Sequence, residues 1–198
     1  MYTKKQLEIK LSRLKIGNHL ISGYEQYPTD SSNSAWIVFK ATLDGNVYGK
    51  NVIDLGTGNG IFAIGAHLMG AASVTGIDMD ATQINIAREN SLGMGLNFET
   101  MDVVDVKGKF DTAFMNPPFG SVNPHADLPF LSKALEVASW IYSVHNIKSS
   151  EFVRSFYESR AEIVYSEKIG LMIPRLYSHH THDLQIIPAV FYVVKNER

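Results

Sequence analysis

Hydrophobic residues recur along the chain with two periods, which predict where helices and strands lie. Leu7, Leu11 and Leu14 recur at helical spacing among charged residues, which predicts an amphipathic N-terminal helix that ends by Gly17. After a polar connector, a second helix is expected over residues 33–43, because polar residues before it can cap its first turn. Residues 1–45 are therefore predicted to form a helical extension.

From Lys50 onward, short apolar runs alternate with helical patterns. The predicted strands are 52–55, 73–77, 97–101, 110–115, 140–144, 163–173 and 184–194. The predicted helices are 61–69, 81–92, 128–138 and 150–160, with no helix signal between the last two strands. This order predicts an α/β fold with a doubly wound, seven-stranded sheet that is mostly parallel and has an antiparallel C-terminal edge.

Length and composition limit the classes of protein to consider. A chain of 198 residues predicts a single domain, 1–198, with its core at 46–198. The absence of cysteine excludes disulfides, thiolate zinc sites and cysteine nucleophiles within the chain. The N-terminus lacks the apolar segment of a signal peptide, and glycine and polar residues interrupt the longest apolar run, 61–77. These features predict a soluble cytoplasmic protein that does not associate with membranes.

The charge pattern is uneven. The net charge of −2 argues mildly against a large exposed nucleic-acid footprint. Residues 1–16, however, contain five basic residues and one acidic residue. A solvated helix face is the preferred interpretation of this run, and an arm that contacts phosphates is the alternative.

Three acidic residues follow three consecutive predicted strands, at the edge where α/β sheets bind ligands. The first strand leads into 54–60, Asp-Leu-Gly-Thr-Gly-Asn-Gly, where glycines allow a ligand to approach the backbone and the following helix N-terminus favours a negative group. Asp78 ends the second strand, where a carboxylate can accept hydrogen bonds from ribose hydroxyls. Asp102 ends the third strand and is placed to accept from an adenine amine. The pattern therefore predicts a nucleoside-containing cofactor.

Two alternatives compete with that interpretation. A dinucleotide fold also has a glycine-rich loop, but the spacing here is Gly-x-Gly-x-Gly rather than Gly-x-Gly-x-x-Gly. Each aspartate taken alone is more often a helix cap or turn residue. Acids at three consecutive strand ends, with Asn116 at the fourth, favour the cofactor site.

The stretch 115–120, Met-Asn-Pro-Pro-Phe-Gly, follows the fourth predicted strand. Pro117 and Pro118 remove two backbone donors and fix two φ angles, so the segment is stiff and cannot pair as a central strand. The amide oxygen of Asn116 and nearby carbonyls are then available as acceptors beside the ring of Phe119. This arrangement suits a planar ring with an exocyclic NH₂ group, and a rigid turn is the alternative.

The glycine-rich loop and Asn116-Pro117-Pro118-Phe119 together resemble class I S-adenosylmethionine-dependent methyltransferases of the amino-methylating Asn-Pro-Pro-aromatic group. The resemblance is closer to the methyltransferase-like protein 5 family, and it covers nearly the whole chain. The further motifs that carry it are Glu25-Gln26-Tyr27-Pro28-Thr29, Ala126-Asp127, Phe130-Leu131, Ala134-Leu135-Glu136 and Tyr142-Ser143-Val144-His145.

This resemblance implies a Rossmann-like fold, S-adenosyl-L-methionine as cofactor, and methylation of N6 of an adenosine in small-subunit ribosomal RNA. The predicted catalytic residues that hold the target base are Asn116, Pro117 and Phe119. The predicted cofactor-binding residues, which include Asp54 and Gly58 of the glycine-rich loop, are Gln26, Thr29, Asp54, Gly56, Gly58, Asn59, Asp78, Asp102, Val103 and Asn116.

The resemblance also implies partners, and it leaves alternative functions open. Structured RNA is the expected substrate, and the family's eukaryotic members work with a small zinc-binding activator protein. The same loop serves enzymes that methylate a protein glutamine amide, which is the nearest rival function. A non-catalytic scaffold that binds the cofactor and RNA is the third.

The sequence departs from the family at two places. Asn59 stands where better-known members have cysteine, which leaves a backbone contact to the cofactor intact. The stretch 177–182, with His179, His180 and His182, replaces a lysine-rich segment and weakens the inference of phosphate binding there unless the histidines are protonated. A metal site is one interpretation of the histidines, but without acids or cysteines at ligand spacing we expect no metal and a solvated loop.

Overall fold

A seven-stranded sheet forms the framework of the protein in a computed structural model, which describes residues 1–17, 29–119, 126–174 and 184–197. The strands are β1 (Asn51–Leu55), β2 (Ser73–Asp78), β3 (Asn97–Thr100), β4 (Phe110–Met115), β5 (Ala138–Asn146), β6 (Glu162–Pro174) and β7 (Leu184–Lys195). The helices are α1 (Lys4–Leu11), α2 (Ser31–Leu43), α3 (Ile61–Leu68), α4 (Ala81–Asn90), α5 (Leu128–Val137) and α6 (Ser150–Glu158). Two short 3₁₀ helices span Val103–Asp105 and Ile147–Ser149.

The strand order is β3-β2-β1-β4-β5-β7-β6. Strands β1 to β5 pair in parallel, whereas β7 inserts between β5 and β6 and is antiparallel to both. This confirms the predicted fold class. The order reverses between β1 and β4, so their carboxyl ends border a crevice in which α/β proteins bind ligands.

Helices cover both faces of the sheet, and each face has its own apolar core. Buried side chains of α1, α2 and α3 pack on one face together with Phe114, Tyr142 and Phe191. Side chains of α5 and α6 pack on the other face with Ile53, Met115 and others. The central strands are buried on both sides, which explains their nearly continuous apolar sequences.

Helix α1 is shorter than predicted. A capping box at Thr3 and Gln6 starts it, and its last residue is Leu11. The Ser12 hydroxyl donates to the carbonyl of Ile9 (3.1 Å), a local bond that competes with helix propagation. Leu7 and Leu11 are fully buried, so the basic N-terminal segment is also part of the core.

Helix α2 begins as the sequence indicates. Asp30 is its N-cap, and its carboxylate accepts from the backbone N–H groups of Ser32 and Asn33. Of the helices in the described ranges, none is both long and apolar enough to span a membrane.

Candidate functional site

A cavity opens at the carboxyl ends of β1, β2 and β4, where the sheet order reverses. Eight of the residues predicted from sequence line it. They are Thr29, Gly56, Gly58, Asn59, Asp78, Asp102, Val103 and Asn116. The fold therefore brings together, from five separate segments, most of the set predicted to bind a cofactor.

The glycine-rich loop between β1 and α3 forms the floor of the cavity. Gly56 and Gly58 both have positive φ angles, of 71° and 54°. A Cβ atom on Gly56 would lie 3.0 Å from the ring of Phe130, whereas one on Gly58 would meet no atom within 4 Å. The loop thus presents bare backbone to open space at Gly58, which allows a ligand to approach closely.

The side chain of Asp54 is hydrogen-bonded to this loop and to α3, and it does not line the cavity. Its carboxylate accepts from the Thr57 hydroxyl (2.6 Å) and from the backbone N–H of Ala63 (3.0 Å). Complete burial raises the pKa of Asp54 to about 7, and these two hydrogen bonds offset only part of that effect. In this structure Asp54 fixes the loop to α3, and a direct cofactor contact by Asp54 stays a prediction.

Asp78 stands at the end of β2 and lines the cavity. One carboxylate oxygen accepts from the backbone N–H of Gly58 (2.9 Å), and the other from that of Asp80 (3.0 Å). Burial raises the pKa of Asp78 above the usual range, while these bonds lower it. A carboxylate has about four lone-pair sites, so Asp78 retains capacity for the two hydroxyls of a ribose.

Asp102 and Val103 form the far wall, just after β3. The exposed carboxylate of Asp102 caps the 3₁₀ helix by accepting from the N–H of Val104 (3.1 Å), and the Val103 side chain is buried. Apolar side chains complete this part of the lining, namely Ile61, Phe62, Ile77, Met79 and Met101. An apolar slot with a carboxylate at its rim suits a planar base with an amine group.

Asn116 lies directly after β4, on the opposite side of the glycine-rich loop from Asp102. Its side-chain NH₂ group donates to the hydroxyl of Thr29 (2.9 Å), which precedes α2. Pro118 also lines the cavity, whereas Pro117 does not. The cavity therefore has two parts, a cofactor half at β1–β3 and an acceptor half at Thr29, Asn116 and Pro118.

Phe119 does not line the cavity in this structure. Its side chain is 6% exposed and belongs to the apolar cluster on the α2–α3 face of the sheet. The aromatic rings of the described residues that do line the cavity are those of Phe62, in α3, and Phe130, near the start of α5. Stacking of a target base on Phe119 stays a prediction.

The structure adds lining residues that the sequence interpretation did not assign to the site. They are Ile16, Gly17, Gln83 and Phe130, together with the apolar wall residues. Gln83 could have been recognised from the sequence, since it is a polar residue on the predicted buried face of α4, beside Ile84 and Ala87. No sequence pattern indicated Ile16 or Gly17, because these residues approach the cavity only through the tertiary packing of α1.

Two predictions fall on parts of the chain that the structure does not describe. Gln26 and the cluster of His179, His180 and His182 both lie outside the described residues. Within the described ranges, histidine and acidic side chains form no group of three that could hold a metal ion.

Residues 40–113, from the end of α2 into β4, match the family described as ribosomal protein L11 methyltransferase (PrmA). Over 179 residues, the chain is 31% identical to the rRNA N(6)-adenosine-methyltransferase METTL5 of Danio rerio, covering 82% of this chain and 85% of that protein.

Two solved structures are similar over their whole length. Protein 1320 of Thermoplasma acidophilum is 42% identical with a TM-score of 0.81, and the match covers 100% of this chain and 99% of that one. PH1948 of Pyrococcus horikoshii, a protein proposed to be an RNA methyltransferase, is 32% identical with a TM-score of 0.90 over 99% and 98% of the two chains.

Proposed function

Since the chain belongs to the class I S-adenosylmethionine-dependent methyltransferases and to the family that includes METTL5 of Danio rerio, we propose that it methylates N6 of an adenosine in small-subunit ribosomal RNA. Its cofactor is S-adenosylmethionine, which supplies an electrophilic methyl group.

The lining of the cofactor half fits this cofactor. Asp78 suits the ribose hydroxyls, the apolar lining that includes Val103 and Ile77 suits the adenine, and Asp102 can accept from the adenine amine. The bare backbone at Gly58 leaves room for the part of the molecule that joins ribose to methionine. Each of these groups is already fixed by a backbone hydrogen bond or by burial, so little reorganisation is needed on binding.

One observation carries the proposal for the acceptor. Asn116, an uncharged amide at a strand end, lies on the same cavity as the residues that fit the cofactor, and Thr29 holds its NH₂ group. Its oxygen is then the atom suited to accept a hydrogen from an exocyclic amine, and Pro118 stiffens the backbone beside it. Such an acceptor localises the lone pair of the amine, which makes the nitrogen a better nucleophile.

The residues of the acceptor half act by positioning and electrostatics. They hold the amine in line with the methyl group and stabilise the positive charge that develops on nitrogen. The amine proton passes to solvent water during or after transfer, and the demethylated cofactor leaves as the second product. The mechanism therefore requires no histidine or carboxylate as a general base.

The substrate is expected to be an exposed adenosine in structured RNA. A base inside a duplex cannot reach a strand-end pocket, and flipping costs least where the base is already unstacked. The chain has about one domain, so recognition of the target is expected to depend on local RNA shape. The exposed basic residues of the N-terminal segment, Lys4, Lys10 and Arg13, can contribute phosphate contacts.

A second candidate function is methylation of a protein side-chain amide, such as that of glutamine. The match of residues 40–113 to a ribosomal protein methyltransferase family favours a protein as the substrate. A glutamine amide is also planar and carries an NH₂ group, so the acceptor half can hold it in the same way. This segment covers the cofactor half rather than Asn116, which is why we place this candidate second.

The proposal is tested by incubating the protein with S-adenosylmethionine labelled in its methyl group and with cell extract split into RNA and protein fractions. We expect label in the small-subunit ribosomal RNA. Label in a protein glutamine would favour the second candidate. Tight cofactor binding with no label in either fraction would instead indicate a non-catalytic scaffold.

A further inference from the structure

Thr29 occupies an unusual position, since it precedes α2 and yet contacts the residue that follows β4. Its side chain is 5% exposed, and its hydroxyl accepts from the Asn116 side-chain NH₂ group at 2.9 Å. We propose that Thr29 is a positioning residue, which sets the orientation of the Asn116 amide for methyl transfer. This inference rests on the proposed role of Asn116.

The two ends of an asparagine amide differ in the hydrogen bonds that they make. The nitrogen end only donates hydrogen bonds and the oxygen end only accepts them. An acceptor amine needs an oxygen beside it, so an amide turned by 180° would present a donor to a donor. In the structure the Thr29 hydroxyl accepts from the nitrogen end, so this contact holds the amide with its oxygen end turned away from Thr29.

The segment that carries Thr29 is itself fixed. The neighbouring Asp30 caps α2 through the N–H groups of Ser32 and Asn33, at 3.1 and 2.9 Å. Its second oxygen accepts from the backbone N–H of Met172 in β6 (3.0 Å), and the Asn33 side chain donates to the carbonyl of Gly170 (2.9 Å). Thr29 therefore stands on a junction between α2 and β6, which allows it to hold Asn116 precisely.

The family resemblance suggests a different role for Thr29, that of a direct cofactor contact. Thr29 lines the cavity, so both roles are compatible with its location. They differ in what a substitution changes. Loss of a cofactor contact weakens cofactor binding, whereas loss of the Asn116 orientation lowers turnover with cofactor and acceptor both saturating.

The test compares Thr29→Val, which keeps the shape and removes the hydroxyl, with Thr29→Ser, which keeps the hydroxyl. Thr42→Val is the matched control, because Thr42 is also buried and its hydroxyl only donates to the Val38 carbonyl within α2 (2.8 Å). We expect Thr29→Val to lower kcat by about tenfold or more, as a misplaced catalytic group would. We expect Thr29→Ser to restore most of the rate, and Thr42→Val to match the wild type.

Two further measurements separate the outcomes. Calorimetry of S-adenosylmethionine binding should give Thr29→Val a Kd within about threefold of the wild type, and a larger loss would assign Thr29 to the cofactor instead. The side-chain NH₂ resonances of Asn116, assigned by their loss in Asn116→Ala, should shift in Thr29→Val but not in Thr29→Ser. Unchanged resonances, or unchanged kcat, would overturn the proposal.

The rate is measured on whichever fraction the wild type labels. If that is a protein fraction, the RNA proposal fails while the role of Thr29 is still decided by the same three variants. If the wild type labels neither fraction, the Asn116 resonances decide whether Thr29 orients the amide.

Discussion

The two halves of the cavity are built in different ways. In the cofactor half, the glycine-rich loop, Asp78 and Asp102 lie at the ends of three neighbouring strands. The carboxylates of Asp78 and Asp102 accept from nearby backbone N–H groups. In the acceptor half, Asn116 depends on Thr29, which is 87 residues away in the sequence. The cofactor half is formed by residues at the strand ends, whereas the acceptor half forms only when the N-terminal extension packs beside the sheet.

The halves also differ in charge. The cofactor half contains acids, and burial raises the pKa values of Asp54 and Asp78. The acceptor half is made of Thr29, Asn116 and Pro118, all uncharged. Separate sets of residues should therefore control cofactor affinity and turnover, and substitutions in the two halves should change different measured quantities.

The largest expected effect is on turnover, in the acceptor half. Asn116→Ala should lower kcat by about a hundredfold or more, the scale of losing a positioned electrostatic contact, with little change in cofactor affinity. Asn97→Ala is the control, since Asn97 is an exposed asparagine on β3 whose side chain donates to Glu99. Single-turnover assays and calorimetry report the two quantities. Wild-type turnover in Asn116→Ala would show that the acceptor half has been assigned wrongly.

In the cofactor half, Asp78→Ala should weaken S-adenosylmethionine binding by about 1.5–3 kcal/mol, because charge-assisted hydrogen bonds are lost. Asp111→Ala is a matched control. Asp111 also accepts from a backbone N–H, that of Asn51 (2.8 Å), but it lies near the amino end of β4, whereas the cavity lies at the carboxyl ends of the strands. Calorimetry on both variants measures the difference. Equal affinities for Asp78→Ala and the wild type would remove Asp78 from the cofactor site.

Substitution of Phe119 tests whether its ring belongs to the acceptor half. Phe119→Leu should weaken RNA binding by about 1–3 kcal/mol if a target base stacks on the ring, while the unfolding free energy changes by less than about 1.5 kcal/mol. Phe114→Leu is the control, because Phe114 is fully buried and does not itself line the cavity. RNA titrations and chemical denaturation are the measurements. If Phe119→Leu changed only stability, as Phe114→Leu should, Phe119 would be a core residue.

The smallest expected effect concerns the pH dependence of stability, through Asp54. Its folded-state pKa of about 7 lies above the value of 3.8 that it has in an unfolded chain. Above about pH 4 the folded state binds more protons, so the unfolding free energy falls as pH rises from about 4 through the folded pKa to about 8, and the shift of Asp78 acts in the same direction.

Asp54→Asn should flatten this dependence by roughly 1–2 kcal/mol between about pH 6 and about pH 8. Denaturation curves at several pH values measure the slope, and Asp105→Asn, at an exposed aspartate, should leave it as in the wild type. An unchanged slope in Asp54→Asn would show that the Asp54 carboxylate ionises normally despite its burial.

The same contrast explains what could be predicted from the sequence. The seven strands and the positions of Asp78, Asp102 and Asn116 at strand ends follow from local hydrophobic patterns, and the structure confirms that fold. The contact between Thr29 and Asn116 could not be derived from local patterns, because it depends on how α2 packs against β6. The burial of Phe119 was also not predictable, since a loop position next to two prolines gives no information about which side the ring faces.

The most direct test of the account is nucleoside mass spectrometry of small-subunit ribosomal RNA after reaction with the wild-type protein, with Asn116→Ala and with Asp78→Ala. The account predicts N6-methyladenosine with the wild type at saturating cofactor, almost none with Asn116→Ala at any cofactor concentration, and product with Asp78→Ala that recovers as cofactor is raised. N6-methyladenosine formation by Asn116→Ala at the wild-type rate, or no methylated adenosine with any of the three, would contradict it.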